Sequence, residues 1–147
     1  MHVFERGWLS SNNILFLDDD RTATLVDTGY VSHREQTLAL VQSQLAGRQL
    51  TRILNTHLHS DHCGGNAYLQ QATGARLAIP PGLADVVNDW DEELLTFRAT
   101  GQDCARFRHD DVLEPGTAWR LGERDWQVLA APGHDPHSIA IRIYQGR

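Results

Sequence analysis

The sequence predicts an α/β fold of the α+β kind, in which one mixed sheet carries helices. Three observations predict it. Apolar runs of strand length are interleaved with stretches whose apolar residues recur every three or four positions. Most strand candidates are joined by connections too short for a crossover helix, which argues against a purely parallel, doubly wound sheet. The 147 residues suffice for one domain with a modest core, so residues 1–147 are read as a single domain.

The elements follow in order. Asn13–Leu17 and residues 23–26 are apolar runs flanking the acidic turn Asp18-Asp19-Asp20, and together they read as a hairpin. The second run ends at Asp27-Thr28-Gly29. Residues 32–46 switch to helical spacing, with Leu38, Val41, Gln42 and Leu45 on one face. Ser32 stands as N-cap with Glu35 three positions on, and Gly47 as the stop. Residues 50–54 read as a short buried strand. Residues 66–72 read as a helix stopped at Gly74, and residues 75–79 as a strand ending in the turn Pro80-Pro81-Gly82. Residues 83–97 read as one acid-rich helix. Residues 105–108, 119–121 and 126–130 are short strands. Residues 138–144 alternate, with Ile139, Ile141 and Ile143 on one side.

Composition removes several functions. The net charge is −6, from 13 basic residues that are all Arg and 19 acidic ones, which argues against nucleic acid as a partner. No apolar stretch reaches the roughly 18 residues that cross a bilayer. The N-terminus lacks the regions of a signal peptide, and Cys63 and Cys104 alone make no disulfide framework, so the cytoplasm is the expected compartment.

The chemistry is concentrated between residues 56 and 65. In Thr56-His57-Leu58-His59-Ser60-Asp61-His62-Cys63-Gly64-Gly65, three imidazoles and a carboxylate fall within six residues. Such groups crowd and desolvate one another unless a cation lies between them, and they are the donors that zinc and related divalent metals use. On extended backbone, residues two apart face the same way, so His57 and His59 reach one metal. Asp61 and His62 follow as the chain turns, and are placed for a second ion about 3.5–4 Å from the first. Gly64 and Gly65 allow backbone to approach without side-chain clashes.

These residues resemble the His-x-His-x-Asp-His signature of the metallo-β-lactamase-fold hydrolases. Asp27-Thr28-Gly29 is similar to the family's Asp-x-Gly turn, Pro132-Gly133-His134 to its later Pro-Gly-His element, and residues 139–143 to the strand after it. The resemblance implies an αββα sandwich with His57, His59 and His134 on a first metal and Asp61 and His62 on a second. Asp61 is then the catalytic residue that orients water or accepts a proton. The implied cofactor is zinc, one or two ions, with iron or manganese left open by the donor set. The implied reaction is attack of a metal-activated water on a thioester, lactone or related ester or amide of a small-molecule substrate. The Asn66-containing run favours the glyoxalase II-like branch. A mononuclear iron sulfur dioxygenase shares the same ligands.

Family members continue past this point to an Asp that bridges the metals and a last His. The chain is therefore expected to be the N-terminal part of the domain, unable to supply the second sheet. A catalytically inert piece that binds metal weakly is the competing expectation, as is a homodimer that covers an exposed apolar sheet face. Asp27 reads as a support for a ligand His or a backbone amide. Cys63 reads as a small buried residue, His137 as a pocket or turn residue, and His33 and His109 as surface residues. His2 reads as a disordered terminus, and the four Trp as core or edge packing. On the acid-rich helix, Trp90 would stand within reach of substrate.

Overall fold

The computed structural model describes residues 1–145. Strands β1 (His2–Phe4), β2 (Asn13–Leu17), β3 (Thr22–Val26), β4 (Gln49–Leu54), β5 (Arg76–Ile79) and β6 (Asp111–Val112) form one six-stranded sheet in that spatial order. Neighbours β1, β2 and β3 run antiparallel, and β3 to β6 run parallel. Connection length decides which. Residues 18–21 form a tight turn, and the Asp19 carboxylate accepts from the N–H groups of Arg21 and Thr22 at 2.6 and 2.7 Å, so a hairpin closes there. A parallel neighbour needs a crossover. It comes from α1 (Arg34–Gln44) after β3, and from α2 (Ser60–Cys63) and α3 (Asn66–Thr73) after β4. After β5 it comes from α4 (Ala84–Asp89) and α5 (Phe97–Thr100).

The strand period of two splits the large sheet into two faces. Leu25, Ile53 and Leu77, all fully buried, pack with Val41, Leu69 and Val87 of the helices. Their neighbours Val26, Leu54 and Ala78 pack on the other side with Phe16, Leu121, Val128 and Ile139. That second cluster joins the large sheet to a three-stranded antiparallel sheet of β7 (Ala118–Leu121), β8 (Arg124–Ala130) and β9 (Ile139–Ile143). The layers are helices, sheet and sheet. Arg52 bridges the two sheets: it pairs with Asp18 at 3.2 Å and donates to the Arg120 carbonyl at 2.6 Å while lying over the Trp119 ring.

Several expectations change. The mixed sheet with helices stands, but this chain does supply a second sheet. Its strands are legible one by one, and the alternation in β8 and β9 buries their inner residues against the first sheet. The expected helix over 83–97 is broken. Trp90 adopts φ +55 and Thr96 φ +66, and the Asp91 carboxylate accepts from the N–H groups of Glu93 and Leu94, a local alternative to the helical ladder. The turn delivers Trp90 onto Phe97 and Phe107, ring centroids 6.0 and 5.1 Å away, so it packs in the core rather than on a helix near substrate.

Residues 105–108 form no strand; the pairing at that edge comes from β6. Ser32 does not cap α1, which begins at Arg34 after a short 3-10 turn and has no side-chain cap. His2 is not disordered but pairs with Leu15 in β1. Trp8 is 86% exposed and packs in no core, whereas Trp119 and Trp126 do pack against the inter-sheet cluster. Exposed large apolar residues of the second sheet are confined to Ile143 and the adjoining Tyr144 among the described residues. Gly146 and Arg147 lie outside the described residues. No helix of the described residues is long and apolar enough to cross a membrane.

Candidate metal centre

The site is built where the chain leaves the C-terminal ends of the parallel strands β3 and β4 and, in the second sheet, of the antiparallel strand β8. The Asp27 N–H extends the ladder by donating to the Leu54 carbonyl at 2.8 Å; the chain then turns through Asp27 at φ +59 and Gly29 at φ +75. After β4 the chain bends at Thr56 and His57, is extended at His59 (φ −72, ψ 148) and then enters α2. The rings of His57 and His59, two residues apart, come together with centroids 4.7 Å apart.

Gly64 and Gly65 then bring α2 against the Asp27 turn. A Cβ on Gly64 would lie 2.5 Å from the Val31 nitrogen, and one on Gly65 would lie 2.5 Å from the Thr28 carbonyl oxygen. Both have ordinary negative φ, so the requirement is space, not conformation. The contact is hydrogen-bonded: the Thr28 N–H donates to the His62 carbonyl at 2.8 Å, and the Gly65 N–H to the Gly29 carbonyl at 3.2 Å. Gly65→Ala is therefore expected to destabilise the chain by about 1–3 kcal/mol. A urea midpoint equal to wild type would show that the approach is not limiting.

His57, His59 and His134 converge. Their candidate donor atoms lie within 4.8 Å of one another, the sole such group of three or more among the described residues. The ring centroids of His57 lie 4.7 and 5.0 Å from those of His59 and His134. His134 Nε2 and His59 Nδ1 face each other at 3.1 Å. Two ring nitrogens that close must share a proton or a cation. His57 is 5% exposed, and its Nε2 is buried with no hydrogen-bond partner. A buried polar atom left unpaired costs about 1–3 kcal/mol, so its orphan state beside two other imidazoles marks a missing partner. Burial, the neighbouring His62 and, more weakly, His59 lower the pKa of His57 to about 4 against the pull of Asp27 and Asp135, so the ring stays neutral and its nitrogen is free to donate a lone pair. The residues fit a divalent ion.

Asp61 and His62 stand beside this trio as a pair. His62 Nε2 lies 3.4 Å from Asp61 Oδ2, and His62 Nδ1 lies 2.8 Å from Asp27 Oδ2. Burial opposes charge on His62, but the hydrogen bond and charge of Asp27, helped by Asp61, outweigh it and raise its pKa. Asp27 makes both of the contacts expected of it, accepting from His62 and, at 2.9 Å, from the Thr56 N–H.

Two groups are not foreseen from the sequence. Asp135, 4% exposed, places Oδ2 3.5 Å from His59 Nε2 and accepts from the His137 N–H at 2.7 Å. Its signal is the Asp-Pro step right after His134, a turn-forming pair. The buried Asn55, Asn66 and Thr28 bond one another at 2.7–3.2 Å, and Asn55 and Thr28 also reach the His62 carbonyl. Among the remaining histidines, His137 is an exposed turn residue. His33 is half-buried with Nδ1 2.7 Å from Ser10 Oγ, and His109 is half-buried, so neither is a plain surface residue.

Beside His59 and Asp61 lies a recess of about 130 Å³ closed by Thr96, Phe97, Thr100 and Gln102. It is space available to a small group next to His59.

The family model described as the metallo-beta-lactamase superfamily matches residues 6–147. A hydroxyacylglutathione hydrolase of Polaromonas sp. (strain JS666) is 54% identical over 97% of this chain and 47% of its own length. A beta-lactamase hydrolase-like protein of Agrobacterium fabrum is 33% identical over 66% of this chain and 22% of its own length. The chain thus spans about half or less of these curated relatives. Among solved structures, the FEZ-1 metallo-beta-lactamase of Legionella gormanii superposes with a TM-score of 0.76 at 17% identity, covering 90% of this chain and 51% of that one. A metallo-beta-lactamase of Cronobacter sakazakii gives 0.75 at 22%, covering 96% and 54%. At those identities the likeness is one of fold.

Proposed function

The chain belongs to the metallo-beta-lactamase superfamily, and from that premise we propose that it carries the metal-binding part of a hydrolase acting on a small thioester. The observation that carries the proposal is the unpartnered, neutral Nε2 of His57 amid the convergent rings of His59 and His134. The 54% identity to a hydroxyacylglutathione hydrolase favours a thioester over a β-lactam or a lactone.

In this reading His57, His59 and His134 hold one divalent ion, and an all-imidazole set suits zinc. When bound, such an ion supplies Lewis acidity, which acidifies water and polarises a carbonyl. Asp61, half-exposed at the rim, accepts the proton that an attacking water gives up. Asp27 and Thr56 hold the His62 ring in place. Thr56 Oγ1 donates to Asp27 Oδ2 at 2.8 Å, so its own position is set by the same carboxylate. Thr96, Phe97 and Thr100 wall the recess and exclude bulk water from one side of the reacting group.

A single ion is favoured over two. Among the described residues His57, His59 and His134 are the group of three that converges, whereas Asp61 and His62 bring only two donors to a second position.

The test is elemental analysis of the purified chain beside His59→Ala, together with hydrolysis of a glutathione thioester, a lactone and a β-lactam. About one zinc per chain, absent from the variant, with thioester cleaved fastest, is the expected result. Metal binding with no preference for the thioester would overturn the substrate, and no metal in wild type would overturn the site.

A further inference from the structure

Cys63 and Cys104 are the chain's whole cysteine complement, and neither is bridged. Cys63 sits on α2 directly after His62 and has no exposure. Cys104 is half-buried in the segment between α5 and β6, which contains neither helix nor strand after Gly101. They are 41 residues apart in sequence, yet their Sγ atoms lie 3.9 Å apart. Nothing in the metal site uses either thiol.

The placement is not a passing contact. On one side of Cys104, the Asp103 N–H donates to Tyr30 Oη at 3.1 Å; on the other, Phe107 is 3% exposed in the core. These anchors hold Cys104 over α2. Gln102, two residues before it, also bonds Ser60 of the same helix. Between the anchors the backbone belongs to no sheet or helix ladder, so it is free to close the gap from 3.9 Å to the 2.03–2.05 Å of a disulfide.

We propose that Cys63 and Cys104 are an oxidation site at which a hydroperoxide converts the thiol pair to a disulfide, fastening the 102–110 segment to the helix that carries Asp61 and His62. The order follows from access. The sulfur of Cys104, the less buried residue of the two, attacks the terminal oxygen of the peroxide. The O–O bond breaks, the leaving oxygen departs protonated as water or an alcohol, and Cys104 becomes a sulfenic acid. The Cys63 sulfur then attacks the Cys104 sulfur, the S–O bond breaks, and the departing oxygen leaves as water with the Cys63 proton. Two thiols are oxidised by two electrons, and one peroxide is reduced. The site does not depend on the metal or on hydrolysis.

The experiment treats the reduced, as-isolated chain with hydrogen peroxide, then quenches in acid for intact-mass measurement and peptide mapping. The expected result is loss of two hydrogen atoms, one cross-linked peptide joining Cys63 to Cys104, and reversal by a thiol reductant. Bridging should be at least tenfold slower in urea, where the fold no longer holds the thiols together. Tryptic cleavage after the exposed Arg106 and Arg108 should slow several-fold in the oxidised chain, and Tm should rise by roughly 5–15 °C. Cys104→Ser should show none of these changes. The comparison of oxidised with re-reduced wild type needs no variant, so a folding defect in Cys104→Ser leaves the test intact. Oxygen adducts on Cys104 beside an intact Cys63 thiol, intermolecular dimers, no reaction, or equal bridging rates in urea would each overturn the proposal.

Discussion

His57→Ala is expected to lose divalent-metal binding more completely than the roughly 10–100-fold that follows loss of a supporting contact. It removes the most buried of the three convergent imidazoles. The variant should remain folded. Its lost packing is offset by removal of an unpaired buried nitrogen, which itself costs about 1–3 kcal/mol, so the metal-free chain should change stability by less than about 2 kcal/mol. Acid distinguishes the two roles. In the metal-free wild type, the unfolded chain protonates His57 near its ordinary 6.5, while the folded chain does so only near 4. Between those values the unfolded state binds more protons, so stability falls as pH drops through that window. His57→Ala lacks this loss. His62 works in the opposite sense: its pKa is raised, so its contribution is full below 6.5 and fades as pH climbs through the folded value. Titration calorimetry with zinc and urea midpoints between pH 4 and 7 measure both effects. Undiminished zinc affinity in His57→Ala would sink the ligand assignment, and an acid limb equal to wild type would sink the account of its burial.

Much of this site is legible in the sequence because its parts are local. His57 and His59 are two residues apart, and Asp27 needs only the end of a strand. His134 lies 75 residues beyond His59, and no spacing rule connects them; only the Pro-Gly-His resemblance points to it. Asp135 escapes because a carboxylate in an Asp-Pro turn has an ordinary local explanation, and its approach to His59 is made by tertiary packing. The central strands β2 to β5 are legible as apolar runs, since burial on both faces leaves little else. The break in the acid-rich segment is not. Helical periodicity continues through Trp90 at the level of sequence, and only the competition from the Asp91 side chain and the burial of Trp90 against Phe107 show why the backbone turns there. The second sheet is underestimated for a related reason. Short strands such as β7 carry little signal alone, and their stability comes from Leu121, Val128 and Ile139 meeting Phe16 and Leu54 across the layer. The Asn55–Asn66–Thr28 network is invisible because neutral amides carry no distinctive pattern.

Asp27→Ala is expected to destabilise the chain by about 3–5 kcal/mol, more than the loss of an exposed ion pair could explain. The carboxylate is 4% exposed and accepts from the Thr56 N–H at 2.9 Å, the Thr56 hydroxyl at 2.8 Å and His62 Nδ1 at 2.8 Å. Alanine leaves all three donors facing an apolar methyl, and each unpaired buried donor carries its own desolvation cost. Asp27→Asn separates packing from charge. The amide oxygen can still accept from the Thr56 N–H, but its NH₂ then lies where Oδ2 accepted, facing the Thr56 hydroxyl and His62 Nδ1. Asn must turn the His62 ring, switch its tautomer, or leave one of these groups unpaired. The asparagine variant should therefore keep only part of the stability that alanine loses: the Thr56 N–H retains its acceptor, while the two groups that faced Oδ2 must rearrange. It should also lower the pKa of His62 by removing the charge that raises it, which the imidazole proton shifts in an NMR titration report directly. Positive φ at Asp27 sharpens the prediction, because Asn tolerates the left-handed region far better than Ala does. A glycine variant controls for that strain. If Asp27→Gly recovers more than half of what Ala loses, the backbone and not the three hydrogen bonds is the larger part of the cost. If Ala and Asn are equally unstable, the acceptor at Oδ2, which serves the Thr56 hydroxyl and His62, and not the bond from the Thr56 N–H to Oδ1, is what holds the turn to the site.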